Sequence, residues 1–442
     1  MTPHCKGGPH GPGGLPKGTK PMWGRRFRLP RRATLASGFN RAAKTAVLLT
    51  LLLLPVALSA APTESDLRRA LAAKTGAVTL PAGEIEIARE IQLPPDAHDL
   101  DIRGVGTTIK ASAAFRGRAL LVLPAGKNIR IRDLSLDGNR DAVARMIGQP
   151  PAGTMYSRFF PDNGIVAEGV TGLEIGPLKA TRIAGFTVLV NSSHTVRLHD
   201  VEMTESGGFN AMRRNNSAGG ILIEENTTDF EIRKCLFGKL RGNGITVRSS
   251  QRGQILENEL AVLAGDGIRL GPAGEITVEN NRARQIGYPA DEADTFGTSL
   301  PAALSATAGV DHSLIHGNEF EEIAGRCFGL ENLADSEVSA NTCTETPFGA
   351  VTLSGARNNV SGNHLRRLNL THRDDPEILR AGIYLAAGAS GNIVGNNEIG
   401  GYGMSRHCIG MAPEVPAAAN RIAKNECSDE ASVARLLPAT PH

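Results

Sequence analysis

Between Gly244 and Cys427 the chain repeats one short phrase built of two clauses. The first is Gly-Ile-x-Leu: Gly244-Ile245-Thr246-Val247, Gly267-Ile268-Arg269-Leu270 and Gly382-Ile383-Tyr384-Leu385. Looser copies stand at Phe328-Gly329-Leu330, Val351-Thr352-Leu353 and Ile409-Gly410-Met411. The second is an aliphatic residue, two residues of any kind, an asparagine, one more residue and an apolar one. Its asparagines are Asn258, Asn281, Asn318, Asn341, Asn363, Asn397 and Asn425. Successive asparagines stand 23 (258 to 281), 23 (318 to 341) and 22 (341 to 363) residues apart. A unit that short cannot bury its own apolar face and must stack on copies of itself. Apolar residues alternate inside each clause, so the clauses are short strands. Gly and Asn fall at the corners, where left-handed backbone and side-chain bonds to the backbone are needed. Stacked coils bring equivalent residues within about 4.8 Å, so an inward amide can bond its copies above and below. A leucine-rich repeat also fits Ile276-x-Val278-x-x-Asn281. It would continue into a helix or a leucine-bearing arc, whereas Gly-Ile-x-Leu strands follow here.

Upstream, Leu80-Pro81-Ala82-Gly83 opens an alternating stretch, and Leu136-Asp137-Gly138-Asn139 closes another. With these, roughly residues 75–428 resemble the right-handed parallel β-helix superfamily, the architecture of pectate lyases and many other secreted polysaccharide-active proteins. The resemblance implies an all-β, single-stranded, right-handed parallel β-helix solenoid. It does not extend to catalytic signatures. Val310-Asp311-His312-Ser313 is similar to a Trp-Ile-Asp-His stretch of pectate lyases but lacks the Trp. The Asn-Thr-Asp, Asp-Asp and Gly-His-Gly signatures of polygalacturonases are missing; Asp374-Asp375 falls in an insertion instead. Thr63 to Ala72 reads as a short amphipathic helix with a capping residue at its start, covering the first coil. The helix is expected over about 63–74, the coils over about 75–428, and a tail over 429–442.

Residues 1–60 read as an export signal. Arg25, Arg26, Arg28, Arg31, Arg32, Arg41 and Lys44 precede an apolar run from Ala46 to Leu58, and small residues follow. Arg31-Arg32 loosely fits a twin-arginine signal, and Met22 offers a second start. The run is short for a membrane span, so no transmembrane helix is expected after cleavage. Residues 1–60 hold ten Lys/Arg and no Asp/Glu, so the remainder has 48 − 10 = 38 basic and 45 acidic residues, a formal charge of −7. The basicity of the whole chain therefore belongs to the signal. With no basic and aromatic stacking platform, nucleic acid is not an expected partner. Aromatics are only 4% of the chain, which suits narrow coils filled by aliphatic side chains. Cys235, Cys327, Cys343, Cys408 and Cys427 remain after cleavage. Cys327–Cys343 and Cys408–Cys427 come from equivalent repeat positions and are possible disulfides in an exported protein; core filling is the alternative for Cys343 and Cys427.

Insertions at 137–162, 204–218, 284–300 and 366–380 interrupt the period, all after a second clause and before the next first clause. Equal positions in a solenoid lie on one side, so these loops are expected to wall a groove on the outer face of one sheet. In Gly-Ile-x-Leu, x and the residue after Leu point outward. That row carries Leu222, Glu224, Thr246, Arg248, Arg269, Ser305, Gly329, Glu331, Thr352, Ser354 and Tyr384. A groove of Arg, carboxylate, Asn and Tyr suits a polysaccharide. Glycoside hydrolysis needs two carboxylates roughly 5–10 Å apart, which Glu224, Glu331, Asp291 or Asp294 would supply. β-Elimination from a uronic acid needs a cation, such as Arg248 with Arg269 or a calcium ion, and a base. Arg213, Tyr384 and His372 are candidates for the base. Asn210, Arg213, Asp291, Asp294, Tyr384 and His372 are expected to bind substrate, and the protein is expected to be a monomer. A non-catalytic binding or scaffold solenoid is the other reading of the same features.

Overall fold

The computed structural model describes residues 61–430 except 149, 152, 290–299 and 372–374. The expected signal, the two possible starts and most of the C-terminal tail lie outside the described residues. So do Asp291, Asp294 and His372.

The chain begins with a helix, Glu64–Leu71, that ends three residues short of the expected boundary. Thr63 Oγ1 accepts from the Asp66 N–H, and the Asp66 carboxylate accepts from the Thr63 N–H, a reciprocal capping box. Leu67 and Leu71 on its inner face are buried in the main core. The helix covers a coil edge whose backbone would otherwise stay unpaired.

Each turn of the chain then lays down three strands. One coil runs Ile221–Glu224, Thr228–Arg233 and Leu236–Leu240 before Ile245–Arg248 starts the next. Every strand pairs in parallel with its equivalent one coil on: Ile221 with Ile245, Ile232 with Ile255, Leu236 with Glu259. Repeated along the chain, this makes three parallel sheets, here the first, second and third in coil order. The glycine of the first clause is steric in origin. A Cβ on Gly244 would sit 2.6 Å from the Gly267 carbonyl oxygen and 2.5 Å from Leu260 Cδ2.

All seven asparagines of the second clause form one ladder. Each Nδ2 donates to the next Oδ1 at 2.9 Å from Asn258 through Asn281, Asn318, Asn341, Asn363 and Asn397 to Asn425. Each Nδ2 also donates to a backbone carbonyl one coil back, as Asn341 does to Ile315. The ladder begins where expected: Cys235 donates its N–H to Asn258 Oδ1, and in earlier coils the column is apolar, with Val201 and Leu178 paired in register. The ladder asparagines are not themselves left-handed, contrary to the expectation from corner chemistry. The residue before each of the first six takes that conformation: Glu257, Asn280, Gly317, Ala340, Gly362 and Asn396. The ladder amide locks a corner that L-residues otherwise avoid.

A second ladder, unread in the sequence, runs five residues ahead of the first. Asn358 donates to Asn392 and Asn392 to Asn420, while Ser313 and Ser336 carry the column through earlier coils. The possible disulfides Cys327–Cys343 and Cys408–Cys427 are both present, and Cys235 is a buried free thiol. No described helix is long and apolar enough to cross a membrane.

Candidate functional site on the loop-bordered face of the first sheet

The four insertions join the third sheet to the first: Asp137 to Asn163, Thr204 to Ile221, Ile286 to Ala302 and Leu368 to Ile383. They share one corner, as the repeat positions require. They do not, however, wall an open groove along its whole length.

Loop 1, residues 138–162, lies flat on the outer face. Its helical turn Tyr156–Phe159 brings Tyr156, Phe159 and Phe160 over Val166, Leu189 and Leu222, forming a second apolar cluster outside the coil. Tyr156 and Phe186 lie 5.0 and 5.2 Å from the Phe160 ring. Leu222, expected to face solvent, is fully buried here.

Glu224 follows Leu222 on the same strand and is also 0% exposed. Its carboxylate accepts from the Tyr156 N–H at 2.9 Å, the Ser157 N–H at 2.7 Å and Asn191 Nδ2 at 3.3 Å. It thereby satisfies the unpaired amides at the start of the helical turn. This corrects the reading of Glu224 as a groove-facing acid: loop 1 covers it, and its oxygens are taken by the loop backbone. Arg248, level with Glu224 one coil on, sits 3.6 Å from that carboxylate. Its guanidinium stacks 4.2 Å from the Tyr156 ring centroid, and Nη1 donates to Thr154 O at 3.3 Å. Arg248 fastens the far edge of loop 1 and keeps 21% of its side chain exposed.

Loop 2 is strapped to loop 1 by Ala211 N–H donating to Ile147 O. Asn210 organises this loop from within, its Oδ1 accepting from the Met212 and Arg214 amides. Arg213 is exposed at the turn, with left-handed backbone.

Past Arg248 the outer face turns polar. Asp266, a candidate absent from the sequence reading, is the hub. Its Oδ1 accepts from Ala302 N–H at 2.9 Å; Oδ2 accepts from Ser305 Oγ at 2.8 Å and Arg269 Nη1 at 3.3 Å. Its own N–H donates to Asn243 Oδ1, and Asn243 Nδ2 donates to Thr246 Oγ1. Three neighbouring coils are therefore joined by one polar network whose exposed head is Arg269, 42% exposed. Asp266 precedes Gly267, where a turn residue is the ordinary expectation, so its type gave little signal. The recurrence of Asn243-Gly244 and Asp266-Gly267 at one repeat position was the available signal.

Further on, the row continues as Gly329, Thr352 and Tyr384 in register, with Glu331 exposed in a strand irregularity. Tyr384 is buried. Loop 4 closes this end: Arg326 Nη2 donates to Ile378 O at 2.7 Å, Gly349 N–H donates to Leu379 O, and Glu377 pairs with His407 at 2.9 Å. The polar stretch from Arg248 to Tyr384 spans five strand steps, about 24 Å.

The candidates are thus only partly brought together. Arg269 lies one step from Arg248 but four steps, about 19 Å, from Tyr384, so these two cannot act on one sugar. Asp266 and Glu331 are separated by two strand steps and five residues along the strand, about 19 Å, beyond the roughly 10 Å limit for a hydrolytic pair. Asp311 and His312 lie on the other side of the first sheet, leading into the second. Among the described residues no group of three or more His, Cys, Asp or Glu side chains gathers as metal ligands. A cleft of about 910 Å³ lies elsewhere, between the N-terminal helix and the base of loop 1, lined by Arg68, Arg89, Arg116 and Arg145 among others. None of the described candidate residues lines it.

Among solved structures, the catalytic unit of a thermostable α-1,3-glucanase of Streptomyces thermodiastaticus superposes with a TM-score of 0.55 at 11% identity, covering 82% of this chain and 65% of that one. The chain thus spans slightly less than two thirds of that unit. A surface adhesin of Streptococcus pneumoniae aligns with a TM-score of 0.48 at 13% identity, over 72% of this chain and 82% of its own. The A-module of a mannuronan C-5 epimerase of Azotobacter vinelandii aligns with a TM-score of 0.42 at 16% identity, over 83% and 90%. At 11% identity the likeness to the glucanase unit is one of fold alone. No curated protein matches the chain in sequence. The family model described as right handed beta helix region matches residues 161–300 and 219–404, together more than half of the 442 residues. The chain belongs to the right-handed β-helix family.

Proposed function

We propose that this is an exported protein that binds, and acts on, a polysaccharide laid along the first sheet between loops 1 and 4. One observation carries the reading. All four long insertions sit at one corner, and where loop 1 stops the middle row of the sheet face changes from Leu189 and Leu222 to Thr246, Arg269, Ser305 and Thr352. A polar strip about 24 Å long, in which Arg269 and Glu331 are exposed while Thr246, Ser305 and Thr352 are buried, suits the polar edge of an extended chain of hydroxyl-bearing rings. Two disulfides and the basic-then-apolar layout of residues 1–60 support export.

Arg269, held by Asp266, is the substrate-binding cation of this reading, with Arg248 beside it and Glu331 on the open side. Asp291, Asp294 and His372 remain candidates from the adjoining loops, and Arg213 and Asn210 from loop 2. Glu224 is left out, because loop 1 occupies its oxygens. A non-catalytic binding protein is the second reading, favoured by the wide separation of Asp266 from Glu331.

The test is a turnover and binding screen against a polysaccharide panel that includes α-1,3-glucan, the polymer named for the glucanase of like fold. It is read by reducing ends and by ultraviolet absorbance of unsaturated products, with and without calcium. Absorbance gain means β-elimination, and reducing ends without it mean hydrolysis. Tight retention without either selects the binding reading. Retention and turnover both unchanged by Arg269→Glu would remove the proposed site.

A further inference from the structure

The chain beyond residue 60 carries a formal charge of −7, yet the cleft of about 910 Å³ between the N-terminal helix and loop 1 is basic. Five arginines and two glutamates line it. Three of the arginines are neutralised in place. Arg68 Nη2 donates to Glu64 at 2.6 Å, Arg118 Nη1 to Glu168 at 2.9 Å, and Arg145 to both Asp162 oxygens at 2.9 and 2.7 Å. The other carboxylate oxygens of the lining serve the scaffold. Glu90 accepts from the Arg118 N–H at 2.7 Å and from Gln92 Nε2 at 2.5 Å, and the second Glu64 oxygen accepts from the Ala88 N–H at 3.2 Å.

Arg89 and Arg116 are left over. They are register partners on the neighbouring strands Gly83–Gln92 and His98–Leu123, where the pairing is irregular on both sides. One strand step sets their Cα atoms about 4.8 Å apart. Both side chains are exposed, and neither forms an ion pair among the described residues; Arg116 donates to the Phe115 carbonyl at 2.6 Å. Like charges side by side repel, so the pair calls for an anion from outside. Burial raises the nearby Asp162 carboxyl above its ordinary value, against the pull of Arg145 and, more weakly, of Arg116. The charge of Arg116 is therefore felt inside the cleft.

We infer that this cleft is a second binding site, and that it takes a phosphomonoester, either free phosphate or a phosphate carried by a sugar. Such a group brings a charge of about −1.5 to −2 at pH 7 and three acceptor oxygens, so one group answers both unpaired guanidiniums. Arginine forks match those oxygens in pairs. A carboxylate or a sulfate ester brings a single charge and leaves one guanidinium unanswered. The volume lies in the usual range for small-molecule sites, so a ring attached to the phosphate fits. The site is separate from the polar strip. Gln92, which lines the cleft, stands on the same outward row as Arg269 but six strand steps, about 29 Å, upstream, with loop 1 between them.

The test titrates the whole protein calorimetrically with inorganic phosphate, a hexose phosphate, the matching hexose sulfate and the matching hexuronate. A phosphate probe is expected to bind at one site about tenfold or more tighter than the sulfate and the uronate. Tighter binding of the hexose phosphate than of inorganic phosphate assigns a sugar-borne group; equal or weaker binding assigns the free anion. Lowering the pH from about 7.5 to about 5 crosses the second phosphate ionisation near 6, and should weaken the phosphate probe on the order of tenfold. Any cleft carboxyl that takes up a proton over that range makes the cleft more positive and acts in the opposite direction, so the loss belongs to the ligand. Arg89→Gln and Arg116→Gln should each weaken the phosphate probe about tenfold, the effect of one lost charge-assisted bond. Both side chains are exposed and unpaired, so the urea midpoint and polysaccharide retention should stay where they are in each variant. Sulfate or uronate binding as tightly as phosphate, phosphate binding indifferent to pH, affinity intact in both variants, or binding of no probe overturns the inference. The polysaccharide reading stands or falls by its own screen.

Discussion

Glu224→Ala is the sharpest probe of how the covered half of the first sheet is held. The carboxylate takes two backbone amides of loop 1 at 2.7 and 2.9 Å and the Asn191 amide at 3.3 Å, with Arg248 at 3.6 Å. Removing one member of a buried charged pair costs about 3–5 kcal/mol, and stranded buried amides cost about 1–3 kcal/mol each. The solenoid need not bear that cost. The aromatics of loop 1 belong to the outer apolar cluster, separate from the core inside the coils. Opening the loop hydrates the stranded groups while the coils stay stacked. The expected result is local: exchange of the Tyr156 and Ser157 amides accelerates on the order of a thousandfold, matching about 4 kcal/mol, while the global unfolding midpoint moves little. Native-state hydrogen exchange reads the first and urea unfolding the second. Unchanged exchange at these two amides would refute the reasoning. Loss of global stability with the loop still protected would refute it equally. Glu224→Gln separates the structural role from a catalytic one, because an acid catalyst would lose turnover with loop 1 still closed.

In the asparagine ladder, Asn341→Leu strands the Asn318 N–H and the Ile315 carbonyl in a dry core and should cost about 3–4 kcal/mol in urea unfolding. Asn425→Leu, at the half-exposed end of the ladder where water can replace the bonds, should cost about 1 kcal/mol. Cutting Cys327–Cys343 by double alanine substitution opens a loop of separation 16 and should lower stability by about 3 kcal/mol, read by the same unfolding with and without reductant. Burial pushes the Cys235 thiol up to about 12, so mass mapping should find it unmodified by thiol reagents at neutral pH until the protein unfolds. Coil-to-coil pairs hold carboxyls below their usual range: Arg132 bonding does so at Asp101, Arg357 at Asp335, and Arg252 at Asp229, which drops to about 2. A depressed folded value stabilises above the unfolded value near 4 and is lost as pH falls toward 2. Acid unfolding should therefore set in below about pH 4 and be followed by circular dichroism.

The fold was legible because one inward position repeats with one chemistry. Asparagine recurs only where an amide meets its own copy, and seven in one register leave few alternatives to stacked coils. The second ladder was equally regular, five residues ahead of the first, yet passed unread. Its column changes residue type from Ser313 and Ser336 to Asn358, and a pattern sought by identity misses one kept by hydrogen bonding. The left-handed corners were assigned one residue late for a related reason. Asparagine favours that conformation in isolation, but here the ladder needs its side chain pointing inward, and the preceding residue takes the strained backbone whatever its type, even Glu257 or Ala340.

The site was less legible because an outward strand position says nothing by itself about what lies above it. The side chains nevertheless held a clue. Leu189 and Leu222 are large apolar residues facing out of the coil, and a solvated sheet face has no use for two in neighbouring coils. At the next coil the same row changes to Thr246, then Arg269 and Ser305. The change from apolar to polar marks where loop 1 ends, and it separates Glu224 from Arg269 although sequence spacing treats them alike. Arg326 shows the same point in reverse. It stands two residues before Phe328, at a corner position filled by Asn243 and Asp266 in earlier coils, so its place in the repeat suggested a turn residue. Only the descent of loop 4 onto the Ile378 carbonyl makes it a buried cation, and that contact spans 52 residues of sequence. The repeat therefore dictates which residues share a face, while the insertions, which follow no period, decide which of them a ligand can reach.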